Sequence, residues 1–324
     1  MLIAADVGGT NTRLGLFARE ALRPRRVASR EYDSRRFTSF GQILATFVDE
    51  VSSGPIEAAA IGVAGPIVQQ RARLTNIDWE VSAVDVAAQL GASRVRLLND
   101  LEAMATCVGV LRADELDTLW AGTPNPEGNA VVVAAGTGLG EAYLPRIDGG
   151  FRVLASEAGH ADFAARTDPE MALVGMLRRD YGRASVEHVL SGPGILNLHR
   201  FTHQAGPVCP EVPDLSSDGA AARISSAGLE GRCRRCLDAL TMFAEALGAE
   251  AGNLGLRGTA TAGVYIGGGI APKILPALHT DGFLRAFLDK APMDALVARM
   301  PLHVILNQDA GLLGAAVAAA ALSS

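Results

Sequence analysis

Four cysteines in 324 residues are too few for a disulfide scaffold, which excludes a small fold stapled by several bridges. Only one Cys-x-x-Cys occurs, Cys233 and Cys236, and no second pair accompanies it. The reading left is two cysteines on one helical turn of a reduced protein. Positive charge is in deficit: a formal net charge of −6 argues against broad nucleic-acid binding. A small substrate with several phosphates must then meet local positive charge or Mg²⁺. No apolar run is long enough to span a bilayer. Ala310 to Leu322 is Ala- and Gly-rich but too short, and reads as a buried helix. No basic segment precedes the first apolar residues and Asp6 interrupts them, so no signal peptide and a cytoplasmic location are expected. Long linkers and low-complexity tracts are also missing.

What is present is a sizeable core, with 49% hydrophobic and 20% charged residues in a length that suggests about two domains. The first thirteen residues are the most informative. Met1 to Ala5 is a short apolar run that reads as a buried strand. It ends in Asp6-Val7-Gly8-Gly9-Thr10-Asn11, and a second run, Leu14 to Phe17, follows at once. A carboxylate, a Gly-Gly turn and a hydroxyl therefore share the tip of a β-hairpin. Gly-Gly permits unusual backbone angles and lets a ligand approach bare N–H groups. No Gly-Lys-Ser/Thr follows, so this is not a strand–loop–helix phosphate motif.

The rest of the chain reads as alternating strands and helices. Arg19 to Arg36 is Arg-rich and reads as a solvated edge strand with loops. Phe37 to Val51 has helical apolar spacing. Ala58 to Ala64 is a central strand broken at Gly65-Pro66, Ser82 is placed to cap a helix through Leu90, and Arg94 to Leu98 is a further strand. Ala130 to Ala135 then enters Gly136-Thr137-Gly138-Leu139-Gly140 and another strand-like run, repeating the N-terminal arrangement. The repeat suggests two similar α/β halves, each offering one turn to the same nucleotide. Helices are expected from Pro169 to Asp180, Gly194 to Gln204 and Arg232 to about Leu256. Ala262 to Ile266 is a strand opening into Gly267-Gly268-Gly269, where a helix N-terminus could approach an adenosine. His303 to Leu306 is the last strand, and a helix from Asp309 is expected to pack back on the first half.

Polar groups cluster near these turns. Asn99-Asp100 lies at a strand end, where ligands sit in open α/β sheets; Asp100 there is either a helix cap or a general base. Glu157-Ala158-Gly159-His160 pairs an acid with an imidazole. The pair alone does not make a metal site, and it equally suits vicinal hydroxyls. Glu187 precedes Leu190-Ser191-Gly192-Pro193-Gly194 and is either a solvated carboxylate or a third polyol contact.

Together these segments resemble the bacterial glucokinase family of the hexokinase and actin-like ATPase superfamily. The likeness runs over nearly the whole chain. Besides those above it is carried by Leu74-Thr75-Asn76 with Trp79, Gly252-Asn253-Leu254 and Gly311-Leu312-Leu313-Gly314. The resemblance implies an α/β, two-domain actin-like ATPase (ribonuclease H-like) fold with an interdomain cleft. The smaller domain would comprise residues 1–109 plus 305–324, and the larger one residues 110–304. It implies ATP and Mg²⁺ at the glycine turns, with Asp6, Gly8, Gly9, Thr10, Asn11, Gly136, Thr137, Gly138, Gly268 and Gly269 around the nucleotide, and Asp6 facing the hydrated metal. Glucose would be held by Asn99, Asp100, Glu157, His160 and Glu187, with Asp100 as the base for the 6-hydroxyl. A homodimer is implied, with no nucleic acid and no membrane as partner. Two departures stand out. Ala161-Asp162-Phe163 follows His160 where repressor-type sugar kinases carry a Cys-rich zinc motif, so no structural zinc is expected. Ala158 stands where the family usually has Gly, which bears on strict glucose preference. Another hexose kinase, or a non-catalytic sugar sensor, is the alternative; the sensor would need a DNA-binding unit, for which a first strand at residue 2 leaves no room.

Overall fold

A computed structural model describes residues 1–51, 54–74, 77–204 and 209–322. The chain divides into two compact units, Met1–Ala113 with Asn307–Ser324, and Asp114–Leu306.

The sheet of the first unit contains β1 (Leu2–Val7), β2 (Asn11–Ala18), β3 (Arg25–Asp33), β4 (Ala58–Val63) and β5 (Val95–Asn99), in the order β3-β2-β1-β4-β5. β1, β4 and β5 run parallel, and β2 is antiparallel to both its neighbours. The two-residue period of a strand sends Ile3, Ala5 and Val7 to one face, against Ile43, Leu44 and Phe47 of the Phe40–Val51 helix. Leu2 and Ala4 go to the other face, against Ala315, Ala316 and Ala319 of the Ala310–Leu322 helix. That helix is apolar on nearly every side because it is wedged between the sheet and the Asp100–Thr106 helix. Ala4, Ala58 and Ala60 make the sheet surface shallow, so the helix backbone comes close. At Gly314 an added methyl would collide with the Ala103 carbonyl. The Arg-rich stretch is the exposed edge β3, as expected.

The sheet of the second unit contains β6 (Leu116–Trp120), β7 (Ala130–Ala135), β8 (Leu139–Leu144), β9 (Leu154–Ser156), β10 (Gly263–Gly267) and β11 (Leu302–Ile305), in the order β9-β8-β7-β10-β11-β6. A hairpin, then parallel strands beside its first member, repeats the first unit; β6 is an additional antiparallel edge. This duplicated order is the ribonuclease H-like arrangement of actin-like ATPases. Phe243, Leu247 and Leu254 of the 25-residue Arg234–Gly258 helix pack with Val131, Val133, Val264 and Ile266, together with Phe283 and Phe287.

The structure corrects several local expectations. Ser82 occupies the cap position of the Ala83–Leu90 helix, but its hydroxyl makes no cap bond and is buried without a partner among the described residues. Gly267–Gly269 opens into a three-residue turn, Ala271–Lys273, and a four-residue helix, so the helix N-terminus expected beside an adenosine belongs to a very short helix. β6 and the helices Ala220–Leu229 and Asp281–Leu288 were not anticipated. The Ala310–Leu322 helix does pack on the first unit. No helix among the described residues is long and apolar enough to cross a membrane.

Candidate active site

In the first unit the site is built on the carboxyl ends of β1 and β5. Asp6, near the end of β1, sits in register with Arg13 on β2 and Gly62 on β4. The Ala310–Leu322 helix begins beside it: a Cβ on Gly311 would lie 3.0 Å from Asp6 Oδ2. Burial raises the Asp6 carboxyl to about 6; Asp100 pushes the same way, Arg13 opposes, and Asp309 and Glu31 add to the rise. A half-buried carboxylate facing other acids is the donor set a divalent cation suits, since oxygen ligands and negative charge are what Mg²⁺ takes. The residues present therefore fit the implied metal.

The Gly8–Asn11 turn is held from inside. The Gly8 N–H donates to the Asn11 carbonyl at 3.0 Å, and the Ser34 hydroxyl donates to the Gly8 carbonyl at 2.8 Å. Ser34 N–H donates to the Thr10 carbonyl at 2.8 Å, and its hydroxyl lies 2.9 Å from Thr12 Oγ1. The expectation that the Gly8 N–H meets a phosphate is therefore corrected, because the turn itself uses that donor; the Gly9 and Thr10 N–H groups lie outside this bond. Ser34 is a supporting residue that sequence reasoning missed. It was hidden in the stretch dismissed as solvated edge.

Asn99 and Asp100 mark the end of β5 and the start of a helix. The cap is Asn99, whose Oδ1 accepts from Leu101 N–H at 3.0 Å while its Nδ2 donates to the Gly65 carbonyl at 3.3 Å. Asp100 follows as the first helical residue, and its Oδ1 also accepts from Leu101 N–H, at 2.8 Å. The structure thus assigns the cap position to Asn99 rather than Asp100. Thr75 and Asn76 lie outside the described residues; their neighbour Trp79 is buried, and its carbonyl accepts from Leu74 N–H at 3.0 Å.

In the second unit Glu157, His160 and Glu187 come together. His160 Nε2 lies 3.9 Å from Glu157 Oε2, and Nδ1 lies 3.9 Å from Glu187 Oε1. Glu157 and His160 are largely exposed, whereas Glu187 is held. Glu187 Oε2 accepts from Leu139 N–H at 2.8 Å, and its own N–H donates to the Gly159 carbonyl at 2.9 Å. Glu187 is therefore not a solvated carboxylate: it ties the sugar-type cluster to the glycine turn. Ala158 lies in a short helical turn without positive φ, so its methyl causes no backbone strain there.

The second glycine turn is fixed at both ends. Gly136 N–H donates to the Gly138 carbonyl at 2.8 Å, and the Gly136 carbonyl accepts from Gly192 N–H at 2.8 Å. Ser191 caps the Gly192–Thr202 helix through Gly194 N–H at 3.0 Å and donates to the Glu187 carbonyl at 2.7 Å. Gly268 sits at φ +86° against the end of β7, where any Cβ would strike the Ala135 carbonyl. A Cβ at Gly136 or Gly269 would meet nothing within 4 Å. The second and third turns thus meet at the end of one strand, with open space beside bare backbone. That is the cradle an anionic nucleotide needs.

The family model described as Glucokinase matches residues 3–322. A glucokinase of Nostoc punctiforme is 36% identical over 340 residues, covering 99% of each chain. One from Cronobacter sakazakii is 32% identical, covering 97% of this chain and 95% of the other. The solved glucokinase of an Antarctic psychrotroph superposes with a TM-score of 0.88 at 29% identity, covering 98% of each chain. A glucokinase of the ROK family from Streptomyces griseus, solved with glucose and AMPPNP, superposes with a TM-score of 0.66 at 22% identity, covering 98% of each chain, a likeness of fold.

Proposed function

The chain belongs to the glucokinase family and phosphorylates glucose with ATP, and on that premise we propose that Asp100 is the general base that takes the proton from the 6-hydroxyl. The observation that carries this reading is the position of Asp100 at the first residue of a helix, at the carboxyl end of β5, close enough to Asp6 to raise its pKa. Asn99, Glu157, His160 and Glu187 hold the sugar hydroxyls. A carboxylate accepts, an amide and an imidazole both donate and accept, so the set matches a neutral polyol.

The N–H groups of Gly9, Thr10, Thr137 and Gly138 hold the phosphates of ATP, with Gly268 and Gly269 beside the nucleoside. Asp6 orients hydrated Mg²⁺, which supplies charge neutralisation at the phosphates. Phosphoryl transfer passes through a loose transition state, so the chain's own task is to position the hydroxyl, hold the phosphate oxygens and exclude water. Asp100 then receives the proton as the O6–phosphorus bond forms and the bond to the β-phosphate oxygen breaks. A homodimer and a cytoplasmic setting belong to the same reading.

The test is ADP release with ATP-Mg²⁺ across a panel of hexoses, comparing the wild type with Asp100→Asn. Turnover on glucose that collapses in the variant supports the assignment; full turnover in the variant ends it. Preference for mannose or glucosamine over glucose would shift the substrate and leave the base in place.

A further inference from the structure

Apart from the residues of the kinase site, a second group of chemically capable side chains gathers at the start of the Arg234–Gly258 helix. We propose that Cys209, Cys233, Cys236 and His203 bind one tetrahedral zinc ion. All three cysteines are free thiols. Cys209 Sγ lies 3.6 Å from Cys233 Sγ and 3.7 Å from Cys236 Sγ, and Cys233 Sγ lies 3.6 Å from His203 Nε2. Zinc–sulfur bonds of about 2.3 Å and zinc–nitrogen bonds of about 2.0 Å, at tetrahedral angles, require S···S edges of about 3.8 Å and S···N edges of about 3.6 Å. The three measured edges, Cys209–Cys233, Cys209–Cys236 and Cys233–His203, are close to those lengths. Donor atoms of His199, His203, Cys209 and Cys236 all fall within 4.8 Å of one another.

The surroundings prepare these atoms as ligands. His203 Nδ1 lies 2.9 Å from the His199 carbonyl oxygen, which can only accept. Nδ1 therefore carries the proton, and the Nε2 lone pair faces Cys233. An imidazole held by its other nitrogen in this way is the usual outer support of a metal-bound histidine. The His199 ring stacks on His203 with centroids 3.8 Å apart, is buried, and neither of its nitrogens has a partner among the described residues. Such an orphaned polar group beside the Cys209 and Cys236 thiols points to a missing charged centre. Cys233 is the cap residue of a 25-residue helix and Cys236 lies in its first turn, where the dipole favours thiolate. Sulfur-rich tetrahedral donation selects zinc over Mg²⁺ or Ca²⁺.

The ion would staple the chain around Cys209 to the ends of two helices, Gly192–Thr202 and Arg234–Gly258. This site is separate from the segment after His160 that repressor-type sugar kinases use. The expectation of no structural zinc was drawn from that segment, and the reading of Cys233 and Cys236 as a spare pair gives way to a four-donor cluster.

Untagged full-length protein, purified reduced and without chelator from zinc-supplemented medium, should carry one zinc per chain by elemental analysis. Replacing zinc with Co²⁺ should give thiolate charge-transfer absorbance and the strong visible bands of a tetrahedral site. In Cys209→Ser and Cys236→Ser the metal content should fall below roughly a tenth of an ion per chain, while Cys107→Ser keeps it. The wild type decides the matter even if the variants fail to fold. Folded, reduced wild type that binds neither zinc nor cobalt overturns the proposal. So does a metal-free protein in which Cys209 is joined to Cys233 or Cys236 by a disulfide, and so does metal retained in both serine variants.

Discussion

Gly138→Ala tests whether the glycine turn and the sugar cluster are one mechanical unit. An added Cβ would lie 2.6 Å from Glu187 Oε2 and 3.5 Å from its Cδ, whereas ordinary Cβ contacts begin at 3.4 Å. The carboxylate must therefore retreat by about 0.8 Å. A free glutamate would do so at little cost, but this oxygen is held by Leu139 N–H at 2.8 Å. Withdrawal stretches that bond to the edge of hydrogen-bonding distance and strands the N–H of a buried residue. A bond to a charged acceptor contributes about 1.5–3 kcal/mol, and partial exposure of Glu187 reduces this to roughly 1–2 kcal/mol. If the same carboxylate holds glucose, KM for glucose rises about five- to thirty-fold. The assays are urea unfolding and coupled ADP release, in a double-mutant cycle with Glu187→Ala. With Glu187 gone the methyl has nothing to displace, so Gly138→Ala should then cost less than about 0.5 kcal/mol. Equal costs in both backgrounds would refute the mechanical link.

Asp100→Asn should lower kcat by roughly 10²–10⁴, with a smaller change in KM, because the amide oxygen can still accept from Leu101 N–H and preserve the helix start; a loss below threefold in coupled ADP release removes Asp100 as the base. Glu141 is fully buried near Glu250 and 3.9 Å from Arg257, and burial first, then Glu250, raises its carboxyl from 4.5 to about 7. Its contribution to stability is complete below about pH 4.5 and lost as the pH rises to about 7, so Glu141→Gln should flatten this decline and be the more stable protein at pH 8, by on the order of 2 kcal/mol in urea titrations. A Gln variant less stable at pH 8 than at pH 5, like the wild type, contradicts the assignment. Gly314→Ala should destabilise by about 1–3 kcal/mol in urea unfolding and depress kcat, since the methyl pushes the Ala310–Leu322 helix off Ala103 on the helix that begins at Asp100; unchanged stability would mean the two helices are not packed as closely as described.

Much of the fold was legible because its strands are buried on both faces and bounded by glycine. Leu2–Val7, Ala58–Val63 and Ala130–Ala135 are runs of small and branched apolar residues with no competing helical period. What escaped notice lacks that contrast. Leu116–Trp120 is a half-buried edge whose Leu-Asp-Thr-Leu-Trp pattern carries little alternation, and only its pairing to Leu302–Ile305 makes it a strand. Ala220–Leu229 carries two serines and a glycine, and forms a helix because its Ile224 and Ala227 face enters the core of the second unit. The exchange of cap between Asp100 and Asn99 has a similar origin. Both side chains can cap, and the choice falls to whichever residue still has extended backbone where the strand ends, φ −61° and ψ 151° at Asn99.

The site residues divide along the same physical line. Candidate residues that share a single turn, such as Asp6 with Thr10 or Glu157 with His160, are readable because chain neighbourhood places them together. The bonds that decide which donors stay free are not readable, since the acceptor of the Gly8 N–H and the support from Ser34 depend on how β3 returns to the hairpin. The cysteine cluster lies at the far end of this scale. Cys233 and Cys236 are visible as a pair, but Cys209 and His203 reach them only because the Gly192–Thr202 helix packs on the Arg234–Gly258 helix. A spacing that looks incomplete in the chain can therefore be completed by packing, and the proportion of a metal site that lies on one element sets how much of it a sequence reveals.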